Sequence, residues 1–102
     1  MGLSSWMKNI AYRLQKGETV TFHPRGHSMT GIVNDGDRVT LIPSSTAEVG
    51  DVVLCKVKGI YRLHKVGAID SKGRYRIENA KGHVNGWTKQ IFGVVTSIGE
   101  DK

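Results

Sequence analysis

The segment DVVLCKVKGIYRLHKVGAI, residues 51–69, decides the fold class. It contains two short runs rich in β-branched and aromatic residues, and their periodicity is that of strands. The runs meet at Lys58-Gly59, where glycine accepts the positive φ angle that a tight turn needs. The segment therefore predicts a β-hairpin.

Four further runs extend this pattern over most of the chain. They are ETVTF, DRVTLIP, RYRIEN and QIFGVVTSI, separated by Gly, Asp or Asn. A second hairpin is predicted at Asp70-Ser71-Lys72-Gly73. The sequence thus predicts a mainly β protein.

The N-terminal residues predict one short helix. Ser4 or Ser5 can cap it, and Gly17 ends it. One face is apolar and consists of Trp6, Met7, Ile10, Ala11 and Leu14. This face is expected to dock on the core of the protein, although a tryptophan with basic flanks also suits attachment to a membrane surface.

Length and composition predict one domain. The chain has 102 residues, which suits residues 1–102 as a single unit with a helix over 1–17 and a β core over 18–99. The net charge of +6 permits contact with nucleic acid, but no dense basic run indicates it. Cys55, the single cysteine, lies in an apolar strand and is expected to be buried and inert. No apolar run is long enough to span a membrane, so a cytoplasmic protein is expected.

Two residues are candidates for nucleophilic catalysis. Ser28 lies in a glycine-flanked loop, and a serine hydroxyl needs a base to take its proton. His64 shares one strand face with Arg62, and Lys65 points to the other, so only one of His64 and Lys65 can face a given site. The imidazole has the better pKa for a base near neutral pH, although a lone strand histidine is more often structural.

Four boxes in order resemble those of the signal peptidase and LexA-like serine protease superfamily. They are Gly26-His27-Ser28-Met29, Gly36-Asp37, Val49-Gly50-Asp51-Val52-Val53 and Leu63-His64-Lys65-Val66. The resemblance extends from about residue 22 to residue 98. It implies a bent antiparallel β structure of the LexA/signal-peptidase type, with an extended peptide bound in a shallow groove as an added strand.

The resemblance also implies roles for individual residues. Ser28 would be the nucleophile and its backbone N–H an oxyanion donor, while Gly26, His27 and Met29 would line the substrate groove. His64 would be the general base, as in the archaeal and endoplasmic-reticulum members, whereas other members use lysine.

The family's later box is altered in this chain. It appears as Ile77-Glu78-Asn79, and Asn85 occupies the position of the usual aspartate. An asparagine can orient an imidazole but stabilises the imidazolium less well, which predicts a slower or inactive enzyme. Glu78 would compensate if it faced the site, and Asn79 would support it. Read as structure alone, Asn79 and Asn85-Gly86 are turns.

Two further departures bear on function. Gly31 replaces the proline that usually follows the nucleophile box, and the membrane helix of signal peptidases is missing. The sequence therefore predicts a small soluble serine endopeptidase that cleaves another protein through Ser28 and His64. The alternative is a weak or inactive relative that binds a peptide, protein or nucleic acid. His23 and His27 flank Pro24 and Gly26, which does not suit metal ligation, so neither a metal nor a cofactor is expected.

Overall fold

The computed structural model describes residues 4–25 and 29–99. Within these ranges the chain forms one helix and seven strands: α1 (Ser4–Gln15), β1 (Val20–Phe22), β2 (Arg38–Pro43), β3 (Val52–Val57), β4 (Ile60–Ile69), β5 (Tyr75–Glu78), β6 (Val84–Thr88) and β7 (Ile91–Gly99). The strands form one antiparallel sheet in the order β1-β2-β7-β3-β4-β5-β6. The predicted mainly β fold class is confirmed.

Both predicted hairpins are present. Lys58 and Gly59 connect β3 to β4 with φ angles of 51° and 81°, the two positive values that a tight two-residue hairpin turn requires. Between β4 and β5, the N–H of Gly73 donates to the carbonyl of Asp70 at 3.1 Å. The Asp70 carboxylate closes this turn by accepting backbone hydrogen bonds from Lys72 and Arg74. These two turns therefore set the pairing register of β3 with β4 and of β4 with β5.

The sheet is strongly bent. Strands β3 and β6 are three positions apart in the strand order, which corresponds to roughly 14 Å in a flat sheet. The hydroxyl of Thr88 nevertheless donates to the carbonyl of Lys56 at only 2.6 Å. A bulge at Gly67 in β4 contributes to the bend, because Val66 and Ala68 pair with consecutive residues of β5. The ribbon formed by β5 and β6 thus folds over one face of β3.

Two apolar clusters occupy the two faces of the bent sheet. Helix α1 covers the first cluster with Ile10, Ala11 and Leu14, all of them buried. The second cluster lies beneath the β5–β6 ribbon and includes Val53, Cys55, Val57, Val66, Tyr75, Ile77 and Ile91. The predicted docking of the helix on the core is confirmed, with Trp6 and Met7 packed against the same cluster. No helix in the described part of the chain is long and apolar enough to span a bilayer.

Strand β6 was not predicted. Its sequence, VNGWT, contains Asn85-Gly86, a pair typical of tight turns. The ladder accommodates this pair because Val84 and Gly86 pair with consecutive residues of β5, which leaves Asn85 as the extra residue of a bulge. Gly86 has a φ of 142°, outside the range that other residues readily adopt. The bulge therefore lies at the two residues whose sequence is typical of a turn.

Candidate active site

The loop that carries the predicted nucleophile is described only at its ends. Gly26, His27 and Ser28 lie outside the described residues. On the preceding side, the carbonyl of Pro24 accepts a hydrogen bond from the N–H of Gly36 at 3.1 Å. On the following side, Met29 is buried in the first core cluster, and its carbonyl accepts hydrogen bonds from the backbone of the next turn. Met29, predicted to line a groove, thus packs in the core.

His64 lies near the middle of β4, opposite Val53 of β3. Val53, opposite His64, and Val66, two residues further along β4, both belong to the second cluster. Because opposite and alternate residues share a face of the sheet, the His64 side chain points toward this cluster. Only 5% of His64 is exposed, which is uncommon for an ionisable residue and places the imidazole in a low-dielectric environment. The alternation of the strand therefore turns His64, and not Lys65, toward the folded-over ribbon.

Asn85 meets this imidazole from β6. The Nδ1 atom of His64 and the Oδ1 atom of Asn85 are 2.6 Å apart. An amide oxygen only accepts, so Nδ1 carries the proton and donates to Asn85. The neutral ring then has its basic lone pair on Nε2, the arrangement required of a general base. The bulge in β6 explains the contact, since the extra residue turns its side chain out of the regular alternation.

The environment keeps His64 neutral. Burial is the largest influence and lowers the pKa of His64 below its ordinary value of 6.5. The hydrogen bond that His64 donates to Asn85 opposes this effect, whereas electrostatic interactions with Arg62 and His83 lower the pKa further. At neutral pH the imidazole is therefore unprotonated and able to accept a proton.

Glu78 is not brought to His64. It pairs with Lys65 across the two strands and therefore lies on the opposite face of β4. Its carboxylate forms ion pairs with Lys65 Nζ at 3.6 Å and with Arg76 Nε at 3.1 Å. A Cβ atom at Gly67 would overlap this carboxylate, so the bulged glycine provides the space it occupies. Glu78 thus links Lys65 and Arg76 by ion pairs on the face of β4 opposite His64.

Asn79 has a local structural role. Its Oδ1 atom accepts the backbone N–H groups of Lys81 and His83, both at 2.9 Å. These bonds form the turn between β5 and β6, as the structural interpretation of the sequence predicted. Because this turn leads directly into Asn85, Asn79 fixes the course of the chain into the bulge.

Two neighbours of the imidazole carry no functional signal in the sequence. Arg62 was predicted to share a face with His64, but nothing in the pattern marked it as functional. His83 comes close only because the turn returns the chain to β4. The part of the chain that the structure describes contains no cluster of three or more His, Cys, Asp or Glu residues able to hold a metal ion.

A buried, neutral imidazole fixed by an amide can accept a proton from a hydroxyl group placed at Nε2 and return it to a leaving group.

No protein-family model matches the chain, and no curated protein matches it either. Assignment of the chain to the signal peptidase and LexA-like superfamily therefore stays a prediction from the four sequence boxes.

Proposed function

We propose that this protein is a small serine endopeptidase that cleaves an extended peptide or protein substrate in trans. The observation that carries the proposal is the 2.6 Å contact between the Nδ1 atom of His64 and the Oδ1 atom of Asn85, made in a buried environment. Ser28 is the proposed nucleophile and His64 its general base. A soluble, cytoplasmic setting, expected from the sequence, stays a prediction.

The strand that carries His64 also offers a place for an extended substrate. Pairing between β4 and β5 begins at Lys65, so residues 60–64 pair with β3 alone among the described strands. Backbone N–H and C=O groups on the other side of this half-strand are therefore suited to receive a peptide as an added strand. Such a peptide would pass beside the imidazole, which supports an endopeptidase.

Digestion of a peptide library, read by mass spectrometry, tests the proposal. Wild type should cleave, whereas Ser28→Ala and His64→Gln should lose all turnover. Glutamine retains an amide N–H that can donate to Asn85, which favours a folded variant. Ser97→Ala is the matched control, because Ser97 is exposed on β7 and away from His64 in the sheet order.

Circular dichroism should show that all variants are folded. Turnover that survives both Ser28→Ala and His64→Gln would contradict the proposal.

A second candidate function is peptide or protein binding by an inactive relative. The observation that favours it is Asn85 itself, because an amide does not compensate the positive charge that forms on the imidazole during proton transfer. A binding module should keep its affinity for a peptide in His64→Gln. Absence of cleavage by both wild type and Ser28→Ala in the digestion, together with retained peptide binding, would favour this alternative.

A further inference from the structure

Arg62 lies beside the proposed general base. It precedes His64 by two residues on β4, and alternate side chains share a face of a strand. Opposite it on β3 is Cys55, whose Sγ atom is 3.6 Å from the carbonyl oxygen of Arg62. The guanidinium also acts electrostatically on His64. Arg62 therefore belongs to the same local environment as the imidazole.

The positive charge of Arg62 has no carboxylate partner among the described residues. The ion pairs formed by described acidic side chains are all with other cations, namely Arg13, Arg25, Lys65, Arg74 and Arg76. Glu78 is the acidic residue nearest in the strand register, and it lies on the opposite face with Lys65. The guanidinium of this half-buried residue is therefore not neutralised by a carboxylate of the described chain and can bind an anion.

A second basic side chain also acts on the imidazole. His83, in the turn before β6, acts on His64 in the same sense as Arg62. The permanent charge of Arg62 makes the surroundings of His64 favourable for an anion. Arginine is well suited to this role, because its fork of N–H groups can bind both oxygens of a carboxylate at once.

The open half of β4 provides a route by which a carboxylate would arrive. Residues 60–64 pair only with β3 among the described strands, and Arg62 lies at the middle of this stretch. An extended peptide paired along it would present a side chain or a chain end to the guanidinium while its backbone passed His64.

We propose that Arg62 is a specificity-determining residue that binds a substrate carboxylate next to the scissile bond. The inference rests on the proposed peptidase function and defines its substrate class: peptides with Asp or Glu at a position flanking the cleaved bond. A free C-terminal carboxylate has the same chemistry, and the test separates the two sources.

The experiment compares peptides that differ only in charge. One pair has Asp or Asn at the flanking position, and a second pair has a free or an amidated C-terminus. Cleavage is followed by mass spectrometry and binding by fluorescence anisotropy in the same samples. For a hydrogen bond to a charged group, the preference for the carboxylate is expected to be about 10- to 100-fold in kcat/KM.

Arg62→Gln should abolish this preference, and Arg62→Glu should reverse it toward a Lys-containing peptide. Arg38→Gln is the matched control, because Arg38 is an exposed arginine on β2 and its replacement changes the net charge by the same amount. The control should keep the wild-type preference. A similar loss in Arg38→Gln would show an effect of net charge and would overturn the assignment to Arg62.

The outcomes separate this inference from the proposed function. Cleavage without carboxylate preference, or a preference unchanged in Arg62→Gln, overturns the role of Arg62 and leaves the peptidase intact. Absence of all cleavage contradicts the peptidase, and the anisotropy measurement then decides the role of Arg62. Carboxylate-dependent binding that disappears in Arg62→Gln supports that role, whereas binding without charge preference overturns it.

Discussion

Asn85 accepts a hydrogen bond from the Nδ1 atom of His64 across 2.6 Å, and the two residues come from strands that are not neighbours in the sheet. The bond both orients the imidazole and raises its pKa against the effect of burial. Loss of the amide should therefore alter both the orientation and the titration of His64.

We expect Asn85→Ala to lower the pKa of His64 further and Asn85→Asp to raise it, because a carboxylate stabilises the imidazolium. If the protein is a peptidase, turnover should fall about tenfold or more in Asn85→Ala, since a well-placed general base contributes about 10²- to 10⁴-fold. NMR titration of the imidazole and the pH profile of kcat/KM measure the two effects. An unchanged titration in both variants would argue against the contact.

Arg62→Gln should raise the pKa of His64, because it removes a positive charge that opposes protonation of the ring. The same NMR titration measures this change without requiring turnover. Arg38→Gln serves again as the control and should leave the titration of His64 where it is in wild type. Equal shifts in the two variants would indicate only the change in net charge.

The stability of the protein should depend on pH through His64. Its pKa in the folded state lies below the ordinary value of 6.5, so between these two values the unfolded chain binds more protons than the folded one. The free energy of unfolding should therefore decrease as the pH falls through this window. Urea unfolding of wild type and His64→Gln between pH 7 and pH 5 tests this, and the variant should show the weaker dependence.

Gly93 marks a close approach between helix α1 and the sheet. A Cβ atom there would lie 2.8 Å from the carbonyl oxygen of Ile42 and 2.8 Å from Leu14 Cδ1. Because one of these neighbours is backbone, we expect Gly93→Ala to destabilise the protein by about 2–3 kcal/mol. Gly99→Ala is the matched control, since its Cβ would have only one distant neighbour and its φ is not in the positive range.

Gly67→Ala should lower the free energy of unfolding by a smaller amount, about 1–2 kcal/mol, because the group it would displace is the end of the Glu78 side chain. Displacement would nevertheless disturb the ion pairs with Lys65 and Arg76. Urea unfolding should therefore rank the three substitutions with Gly93→Ala the most destabilising and Gly99→Ala the least. A cost for Gly67→Ala no greater than that of the control would show that Glu78 moves aside freely.

The thiol of Cys55 should be inert in the folded protein. Cys55 is fully buried, and burial raises its pKa to about 12. We expect a colorimetric thiol reagent at pH 8 to label the native protein slowly and the urea-unfolded protein at once. Immediate labelling of the native protein would contradict this burial.

Much of the fold could be predicted from the sequence because its signals are local. The alternation in residues 51–69 and the turn at Lys58-Gly59 determine the central hairpin, and the apolar face of the helix determines its docking. Strand β6 was missed because Asn85-Gly86 has the composition of a turn, and its place in the ladder depends on a bulge.

The candidate site was predictable in its residue types but not in its contacts. Alternation along β4 shows that His64 and Lys65 lie on opposite faces. Once the β4–β5 register pairs Glu78 with Lys65, it follows that Glu78 lies on the face opposite His64. The register depends on the bulge at Gly67, and the approach of Asn85 depends on the curl of the whole sheet. Neither is encoded in a local pattern, so the sequence could not show that Arg62 has no carboxylate partner among the described residues.

The position of Asn85 on β6 has a consequence for the durability of the site. Strand β6 is the last in the sheet order, so on one side it has no strand beside it among the described residues, and the Thr88–Lys56 hydrogen bond ties its end to β3. Outer strands open in sub-global fluctuations that leave the rest of the molecule folded. The amides of β6 should therefore exchange their hydrogens sooner than those of β3. On warming, the protein would lose the orientation of His64 while most of its sheet remained intact.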